Sequence, residues 1–211
     1  MPIMTSDQWF SNPVTGMRMR MTVLPHQTAG RSFVAEYSYQ AGRGKTAFPP
    51  HLHPNTTETF EILKGNARCL VGSEERPVKA GETIVLPANV AHIHPWSDGD
   101  EPILARQTAV CDPPDEAGLV AALQAAITIF GLANAGKVHP NGRPGLLQLA
   151  LLAHGTIPQT YLGAVPKAVQ TVATGAVSIV SRVTGERFAY PEYGIVTDAG
   201  IELPEDFKFA V

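Results

Sequence analysis

The sequence is 211 residues long, with 16 basic and 19 acidic side chains and therefore little net charge. This length fits one domain with appendages and is enough to bury a core without disulfide bridges. The near balance of charge, without a basic stripe, argues against nucleic acid as a partner. Cys69 and Cys111 form no metal or redox motif, and the N-terminus lacks a charged start followed by an apolar run, so we expect a cytoplasmic protein.

From about residue 17 to residue 110 the chain has the pattern of short strands separated by turn residues. Alternating or branched apolar segments recur at 18–23, 33–39, 60–63, 67–71, 83–86 and 103–110. The segment 72–75 predicts a further turn between two of them. Many short strands with Gly and Pro turns predict an all-β sandwich or barrel.

Helical spacing replaces the strand pattern after residue 114. Asp115 and Glu116 place negative charge where the N-terminus of a helix favours it, and apolar residues then recur at helical spacing until Gly136. Two further helices are predicted at 146–153 and 167–183, each followed by a glycine. We therefore divide the chain into a β-barrel domain at 1–112 and a helical C-terminal extension at 113–211.

The predicted helix at 167–183 has no charge over the fourteen residues between Lys167 and Arg182. This stretch is too short and too polar to span a bilayer of about 30 Å. We expect it to be buried core or a subunit interface, with contact at a membrane surface as the alternative. Apolar helices need a cover, so we expect the extension to pack on the barrel or on a twofold-related partner in a homodimer.

Three histidines and one glutamate recur at a spacing suited to one metal ion. His51 and His53 lie two positions apart, so they point to the same face if this segment is a strand. Glu58 follows just past a short turn, and His92 would come from a second hairpin. Three imidazoles and a carboxylate suit Fe(II), Mn(II), Ni(II) or Zn(II) and leave two positions open on an octahedral ion. The alternative is that these histidines are turn and core residues without a metal.

Other side chains near these residues are candidates for a pocket. His94 would share the face of His92 as a fifth ligand or proton shuttle. The following Pro95 favours a strand break instead, with His94 at the surface or beside the metal ligands without binding the ion. Glu61 lies three residues after Glu58 and should point outward. Tyr37, Tyr39, Trp96 and Arg106 are weaker pocket candidates, and we expect no role for His26, His139 or His154.

Methionine and arginine alternate over residues 17–21. Met17, Met19 and Met21 share one face of the predicted strand, and Arg18 and Arg20 share the other. An inward arginine pair would capture an anionic substrate, whereas inward methionines would line an apolar pocket. Apolar residues usually take the inside, so we favour the methionine pocket.

Two segments, at 44–65 and 81–96, resemble the pair of motifs that define the cupin superfamily. They read Gly44-(x)6-His51-x-His53-(x)4-Glu58-(x)6-Gly65 and Gly81-(x)5-Pro87-x-Asn89-(x)2-His92. The resemblance implies a jelly-roll β-barrel with a metal inside its mouth, held by the three histidines and the glutamate. Asn89 stands where the family usually has glycine, and asparagine tolerates the left-handed conformation that this turn needs.

The C-terminal half also resembles a group of bacterial single-cupin proteins that carry a helical C-terminal extension. The likeness rests on 130–137, 141–144, 147–150 and 190–193, together with Pro-Pro-His-x-His-Pro-Asn at 49–55. The implied fold class is therefore an all-β cupin jelly-roll barrel with an appended α-helical segment. Fold and site are shared across unrelated activities, so this resemblance names no substrate.

Three functional hypotheses follow for a site that takes a small molecule. The first is an oxygenase acting on a small, largely apolar or aromatic compound, in which Glu58 either completes the ligand set or swings away as a general base. The second is a non-redox isomerase, cyclase or lyase that uses the metal as a Lewis acid. The third is a non-catalytic ligand-binding protein. The sequence does not separate the first two.

Overall fold

The computed structural model describes residues 3–5, 8–45 and 48–207, and the first half of the described chain is mostly strand. The strands are β1 (Phe10–Asn12), β2 (Met17–Val23), β3 (Ser32–Tyr39), β4 (His51–Leu52), β5 (Thr56–Lys64), β6 (Asn66–Val71), β7 (Glu74–Lys79), β8 (Thr83–Leu86), β9 (His92–Ser97) and β10 (Ile103–Cys111). A short 3-10 helix, Pro25–Thr28, follows β2. The predicted succession of short strands is confirmed.

Helices dominate the second half of the chain. Its elements are α1 (Glu116–Asn134), α2 (Leu146–Thr156), β11 (Tyr161–Leu162), α3 (Lys167–Val183), a 3-10 turn at Pro191–Tyr193, β12 (Ile195–Thr197) and β13 (Gly200–Glu202). All three predicted helices are confirmed, with ends within a few residues of the expected ones. The side chain of Asp115 caps α1 by accepting a hydrogen bond from the Gly118 N–H at 2.9 Å.

Two antiparallel sheets form a β-sandwich. One has the strand order β1-β2-β3-β10-β5-β8 and the other β11-β4-β9-β6-β7, while β12 and β13 form a separate hairpin. Side chains of both sheets share one apolar core, with Tyr37 and Phe60 from the first sheet and Ala67 and Cys69 from the second. The predicted jelly-roll architecture followed by helices is therefore confirmed, and both cysteines are free and buried as expected.

Strand β10 shows how the alternation of side chains positions polar groups inside the sandwich. Its residues alternate between buried and more exposed along the whole strand, with Gln107 among the buried ones. Its neighbour β5 places Phe60 opposite Gln107 and Glu58 opposite Ala109. Since every second residue faces the interior, Gln107 and Glu58 are both directed into the space between the sheets.

Two turns depend on residues that accept a positive φ. Gly65 has φ 81°, and a Cβ at this position would lie 2.5 Å from the Pro102 carbonyl oxygen, so only glycine fits. Asn89 has φ 62°, which confirms the expected left-handed turn before His92. The Asn89 N–H also donates to the His53 carbonyl oxygen at 2.7 Å, which ties the two motifs together.

The turn predicted at 72–75 is shorter than expected. Gly72 and Ser73 form the turn, whereas Glu74 and Glu75 already belong to β7 and pair with Val71 and Leu70 of β6. Charged residues are usual on an exposed edge strand, where they discourage pairing with other chains. Because these charged residues were interpreted as a turn, the strand at the edge of the second sheet was not predicted.

Helix α1 packs against the sandwich and contributes to the same core. Leu119, Leu123, Ile127 and Phe130 are buried in the core cluster that the strands form. Among the described helices, α1 is the one whose length and hydropathy would allow it to cross a membrane. Of its most apolar 18-residue stretch, 56% is buried within the structure. Strand β10 ends at Cys111 and α1 begins at Glu116, and one apolar core contains residues from both. The division into two domains at 112/113 stays a prediction.

Within the part of the chain that the structure describes, helix α3 is covered on one side only. Its inner face packs against α2, where the Ser181 hydroxyl donates to the Leu147 carbonyl oxygen at 2.8 Å. Its outer face leaves Val172, Ile179 and Val183 exposed at 74%, 67% and 84%. The expectation of buried core is therefore wrong for this outer face. A subunit interface, and with it the homodimer, stays a prediction, as does the alternative of a membrane surface.

We predict that Phe130→Ala lowers the free energy of unfolding by about 3–5 kcal/mol, because it removes a ring that is 1% exposed from the shared core. Val183→Ala, on the exposed face of α3, is the matched control and should change stability by less than about 0.5 kcal/mol. Urea unfolding measures both. Equal stability of the Phe130→Ala variant and the parent would show that α1 is not docked on the barrel.

Candidate metal centre

One compact cluster of histidine and glutamate side chains lies between the two sheets. His51 on β4 is paired in register with His92 on β9, and His53 follows directly after β4. Glu58 reaches the same point from β5 of the opposite sheet. One potential ligand atom from each of these residues and from His94 lies within 4.8 Å of all the others. The structure thus brings together all four side chains singled out in the sequence.

Hydrogen bonds to backbone carbonyls fix the orientation of three of these imidazoles. The bonds join His51 Nδ1 to the Pro49 oxygen at 3.0 Å, His53 Nδ1 to the Gln159 oxygen at 2.9 Å, and His92 Nδ1 to the Val90 oxygen at 2.9 Å. A carbonyl oxygen only accepts, so each Nδ1 carries a proton. In the neutral ring, Nε2 then keeps a free lone pair that is directed into the cluster.

Two of the converging Nε2 atoms have no hydrogen-bond partner in the described part of the chain. His53 Nε2 and His92 Nε2 are buried and have no hydrogen-bond partner among the described residues. They lie 3.7 and 3.1 Å from Glu58 Oε2. A lone pair and a carboxylate oxygen at this range repel each other unless a cation lies between them. The donor set therefore fits a divalent metal ion, and the carbonyl bonds to Nδ1 are the outer contacts that metal-binding histidines ordinarily have.

Glu58 is ionised in this setting. Burial by itself would raise the pKa of Glu58, but its interactions with His94, His53 and His92 outweigh this effect and hold the pKa well below the ordinary value of 4.5. The Gln107 amide donates to Glu58 Oε1 at 2.6 Å. That bond fixes one carboxylate oxygen and leaves Oε2 facing the histidines as a negatively charged ligand.

The histidines are held in the form that binds metals. Burial lowers the pKa of His51 well below its ordinary value of 6.5, and the neighbouring His94, His53 and His92 lower it further. Burial is also the main reason why the pKa of His53 is lowered, although Glu58 opposes this shift. Both rings are therefore neutral near pH 7, as ligation of a metal requires.

His94 lies inside the cluster on an unbroken strand, so the expected strand break and a position at the surface are wrong. Its Nε2 is 2.9 Å from Glu58 Oε2 and 3.2 Å from His51 Nε2. Pro95 does not end the strand, because the register of β9 against β6 shifts at this point and His94 and Pro95 together stand opposite Cys69. A proline is tolerated at such a bulge because its missing N–H is not needed in the ladder.

The helical extension supplies part of the centre. The carbonyl oxygen that holds His53 belongs to Gln159, which follows α2, and β11 extends the second sheet by pairing Leu162 with His51. The Gln159 side chain in turn donates to Asp115, the residue that caps α1. Nothing in the sequence around Gln159 resembles a metal motif, and a contact between residues 106 positions apart leaves no local signal.

A mostly apolar cavity of about 240 Å³ opens beside the cluster. Its wall includes Met17 and Met19 of β2, which confirms the predicted methionine pocket for these two residues, whereas Met21 is buried but does not line the cavity. Arg18 is exposed on the other face of the strand, and Arg20 forms an ion pair with Glu36 at 2.6 Å. The arginine pair is thus turned away from the site.

The remaining sequence candidates lie outside the cavity wall. Tyr37, Tyr39 and Trp96 are buried core residues that do not line it. Glu61 points outward as expected and pairs with Arg106 at 3.2 Å. The three histidines for which no role was expected are not members of the cluster; they are His26, His139 and His154.

We predict that the metal-free protein loses stability as the pH falls below about 6.5, the ordinary pKa of histidine. Because the folded-state pKa values of His51 and His53 are lowered, the unfolded chain binds protons first, and the linkage destabilises the folded state as the pH decreases. Thermal unfolding between pH 8 and pH 5 measures this. His53→Asn should flatten the dependence, whereas His139→Asn, on an exposed loop, should not. A melting temperature that is constant over this range would contradict the prediction.

We further predict that His53→Ala loses most of the bound metal and keeps its fold, because the sheets close around an apolar core and not around the ion. Loss of contacts that merely orient a ligand costs ten- to a hundredfold in affinity, and loss of an imidazole ligand should cost at least as much. Metal content by mass spectrometry and circular dichroism measure the two effects. Stoichiometric metal in both His53→Ala and His92→Ala would refute the site.

Known structures resemble this chain over about half of its length. A conserved protein of unknown function from Streptococcus pyogenes is 23% identical, with TM-score 0.38, covering 46% of this chain and 75% of its own. A predicted oxalate decarboxylase from Thermotoga maritima is 17% identical, with TM-score 0.44, covering 53% and 99%. A sugar phosphate isomerase from Silicibacter pomeroyi is 16% identical, with TM-score 0.40, covering 47% and 62%.

No curated protein matches the sequence. Residues 39–106, which run from the end of β3 into β10, match the family described as Cupin_2, cupin domain. This span contains both motifs and every member of the histidine and glutamate cluster. The chain therefore contains a cupin domain, formed by two antiparallel sheets and followed by C-terminal helices.

Proposed function

We propose that this protein is a metal-dependent oxygenase that acts on a small, largely apolar or aromatic organic molecule. The observation that carries the proposal is the convergence of unpartnered Nε2 atoms and one carboxylate oxygen at the edge of an apolar cavity. His51, His53, His92 and Glu58 would hold one divalent ion. A redox-active ion with two free positions would supply a place for substrate and dioxygen to meet.

The cavity supports an apolar substrate. Met17 and Met19 line one side, and Leu119, Leu123 and Ile129 line the other. Apolar walls with a few polar groups at one end are typical of sites that take small organic molecules and orient them by one polar group. Such walls also keep water away from the reacting end.

Glu58 and His94 supply the proton chemistry. Glu58 Oε1 is occupied by the Gln107 amide, while Oε2 lies within 3.1 Å of both His92 Nε2 and His94 Nε2. A carboxylate that leaves the ligand set would therefore find a hydrogen-bond partner at once and could accept a proton from substrate. His94 stands at the border between this carboxylate and the cavity and could relay that proton.

The Glu58–His94 pair also favours the second candidate, a non-redox isomerase, cyclase or lyase, because these reactions need a base beside the bound carbonyl group. A ligand-binding protein without activity is less well supported. We would expect such a protein to leave no room beside the metal ligands and to place no base there, whereas the cavity adjoins both Glu58 and His94.

An oxygen-uptake screen distinguishes the oxygenase from the non-redox enzyme. Protein purified without an affinity tag and loaded with Fe(II) is offered small apolar and aromatic compounds, and oxygen consumption is followed together with loss of the compound. Oxygen consumed in step with the compound supports the oxygenase. Turnover of a compound without oxygen consumption would contradict it and favour the non-redox enzyme.

We predict that Glu58→Gln keeps much of the metal, because three imidazoles remain, but lowers turnover by roughly a hundredfold or more, the scale of general-base catalysis. Glu61→Gln is the matched control, since Glu61 lies on the same strand with its side chain outside. Metal content and turnover of both variants are measured on the same substrate. Parent-rate turnover in fully loaded Glu58→Gln would exclude Glu58 as the base.

A further inference from the structure

The cavity beside the cluster is a long space between the first sheet and the helical extension. Its helical wall includes seven residues of α1, from Gly118 to Ile129. Eleven residue steps along an α-helix correspond to about 16 Å. The Gly118 end lies at the cluster, because Gly118 packs directly against the Gln159 side chain and the Gln159 carbonyl oxygen holds His53. The Ile129 end is therefore the far end.

Small side chains keep this space open. Ala122 and Ala126 are one helical turn apart on the face of α1 that lines the cavity, and both are only half-buried. Opposite them, Met17 and Phe33 come from the first sheet, and Leu152 comes from α2. A volume of about 240 Å³ distributed over three turns of helix is narrow.

Charge is confined to one end of the space. No lysine or arginine lines it among the described residues, and its only carboxylate is Glu58. The polar groups next to the cluster are already bound to one another: Gln107 to Glu58, Thr160 to His53, and Thr56 to Gln159. A phosphate or a second carboxylate of a ligand would therefore find no cationic partner along the wall and would lose its hydration there.

We propose that the extension makes this cavity a channel for a linear, medium-length alkyl chain that carries one polar group, a carboxylate or hydroxyl, at the end beside the histidines. The cavity volume of about 240 Å³ is that of roughly eight water molecules in the liquid. A methylene group fills about as much space as a water molecule, so the cavity holds a chain of about eight atoms. The placement of the polar end rests on the proposed metal centre, whereas the placement of the chain rests on the channel alone.

Isothermal titration calorimetry of the full chain tests this proposal. Butanoate, hexanoate and octanoate are titrated into the Zn(II)-loaded protein, and 1-butanol, 1-hexanol and 1-octanol into both the loaded and the metal-free protein. Each added methylene should tighten binding about fourfold in both series, as burial of a methylene does elsewhere. In the metal-free protein, octyl phosphate should bind no more tightly than 1-octanol, because no lysine or arginine lines the described cavity wall. Dissociation constants that do not depend on chain length would overturn the proposal.

Two substitutions in α1 locate the chain. Ala126→Phe fills the channel and should weaken octanoate binding at least tenfold with unchanged metal content, whereas Ala117→Phe, on the exposed side of the same helix, should have no effect. Ile129→Ala lengthens the far end of the channel, so the chain that binds most tightly should become longer than in the parent protein. This variant keeps the proposal testable if Ala126→Phe does not fold. Octanoate affinity that neither channel substitution alters would overturn it.

The alcohol series separates this proposal from the proposed function. If the protein binds no metal but its affinity for alcohols still rises with chain length, the metal centre fails and the channel stands. If a substrate is turned over while alcohol affinity is independent of chain length, the channel fails and the enzyme stands.

Discussion

The site depends on three hydrogen bonds between imidazole Nδ1 atoms and backbone carbonyl oxygens. Each bond fixes a ring and its tautomer together, so His51, His53 and His92 present lone pairs to one point. Two of the acceptors, on Pro49 and Val90, lie two residues before the histidine that they hold. The third is on Gln159, more than a hundred residues away along the chain. The centre is therefore assembled by tertiary packing as well as by local strand geometry.

The same packing builds the cavity. Leu119 and Leu123 face the barrel core and also line the cavity, so α1 stabilises the fold with the surface that shapes the site. Asp115 joins the two roles, because its carboxylate caps α1 and accepts a hydrogen bond from the Gln159 side chain. A change in the packing of α1 would therefore move Gln159 and with it the carbonyl oxygen that holds the His53 ring.

Local patterns in the sequence predicted several features of the structure correctly. The alternation of β2 placed Met17 and Met19 inside, and the tolerance of asparagine for positive φ explained Asn89. The sequence did not predict the unbroken strand through His94, because the bulge that accommodates Pro95 depends on the partner strand β6. It also missed Gln159, since a backbone carbonyl acts through its position and leaves no trace in residue type. Both features depend on contacts between segments that are far apart in the sequence, so no local pattern predicts them.

The bond from His53 to Gln159 also constrains how such sequences can diverge. Cupin barrels without this extension must give the second histidine of the motif another acceptor, or leave its ring free to rotate. Within chains that keep the extension, the segment from Thr156 to Tyr161 cannot change length without moving that acceptor. Insertions should accordingly be rare in this short loop, even though loops elsewhere on a barrel tolerate them well.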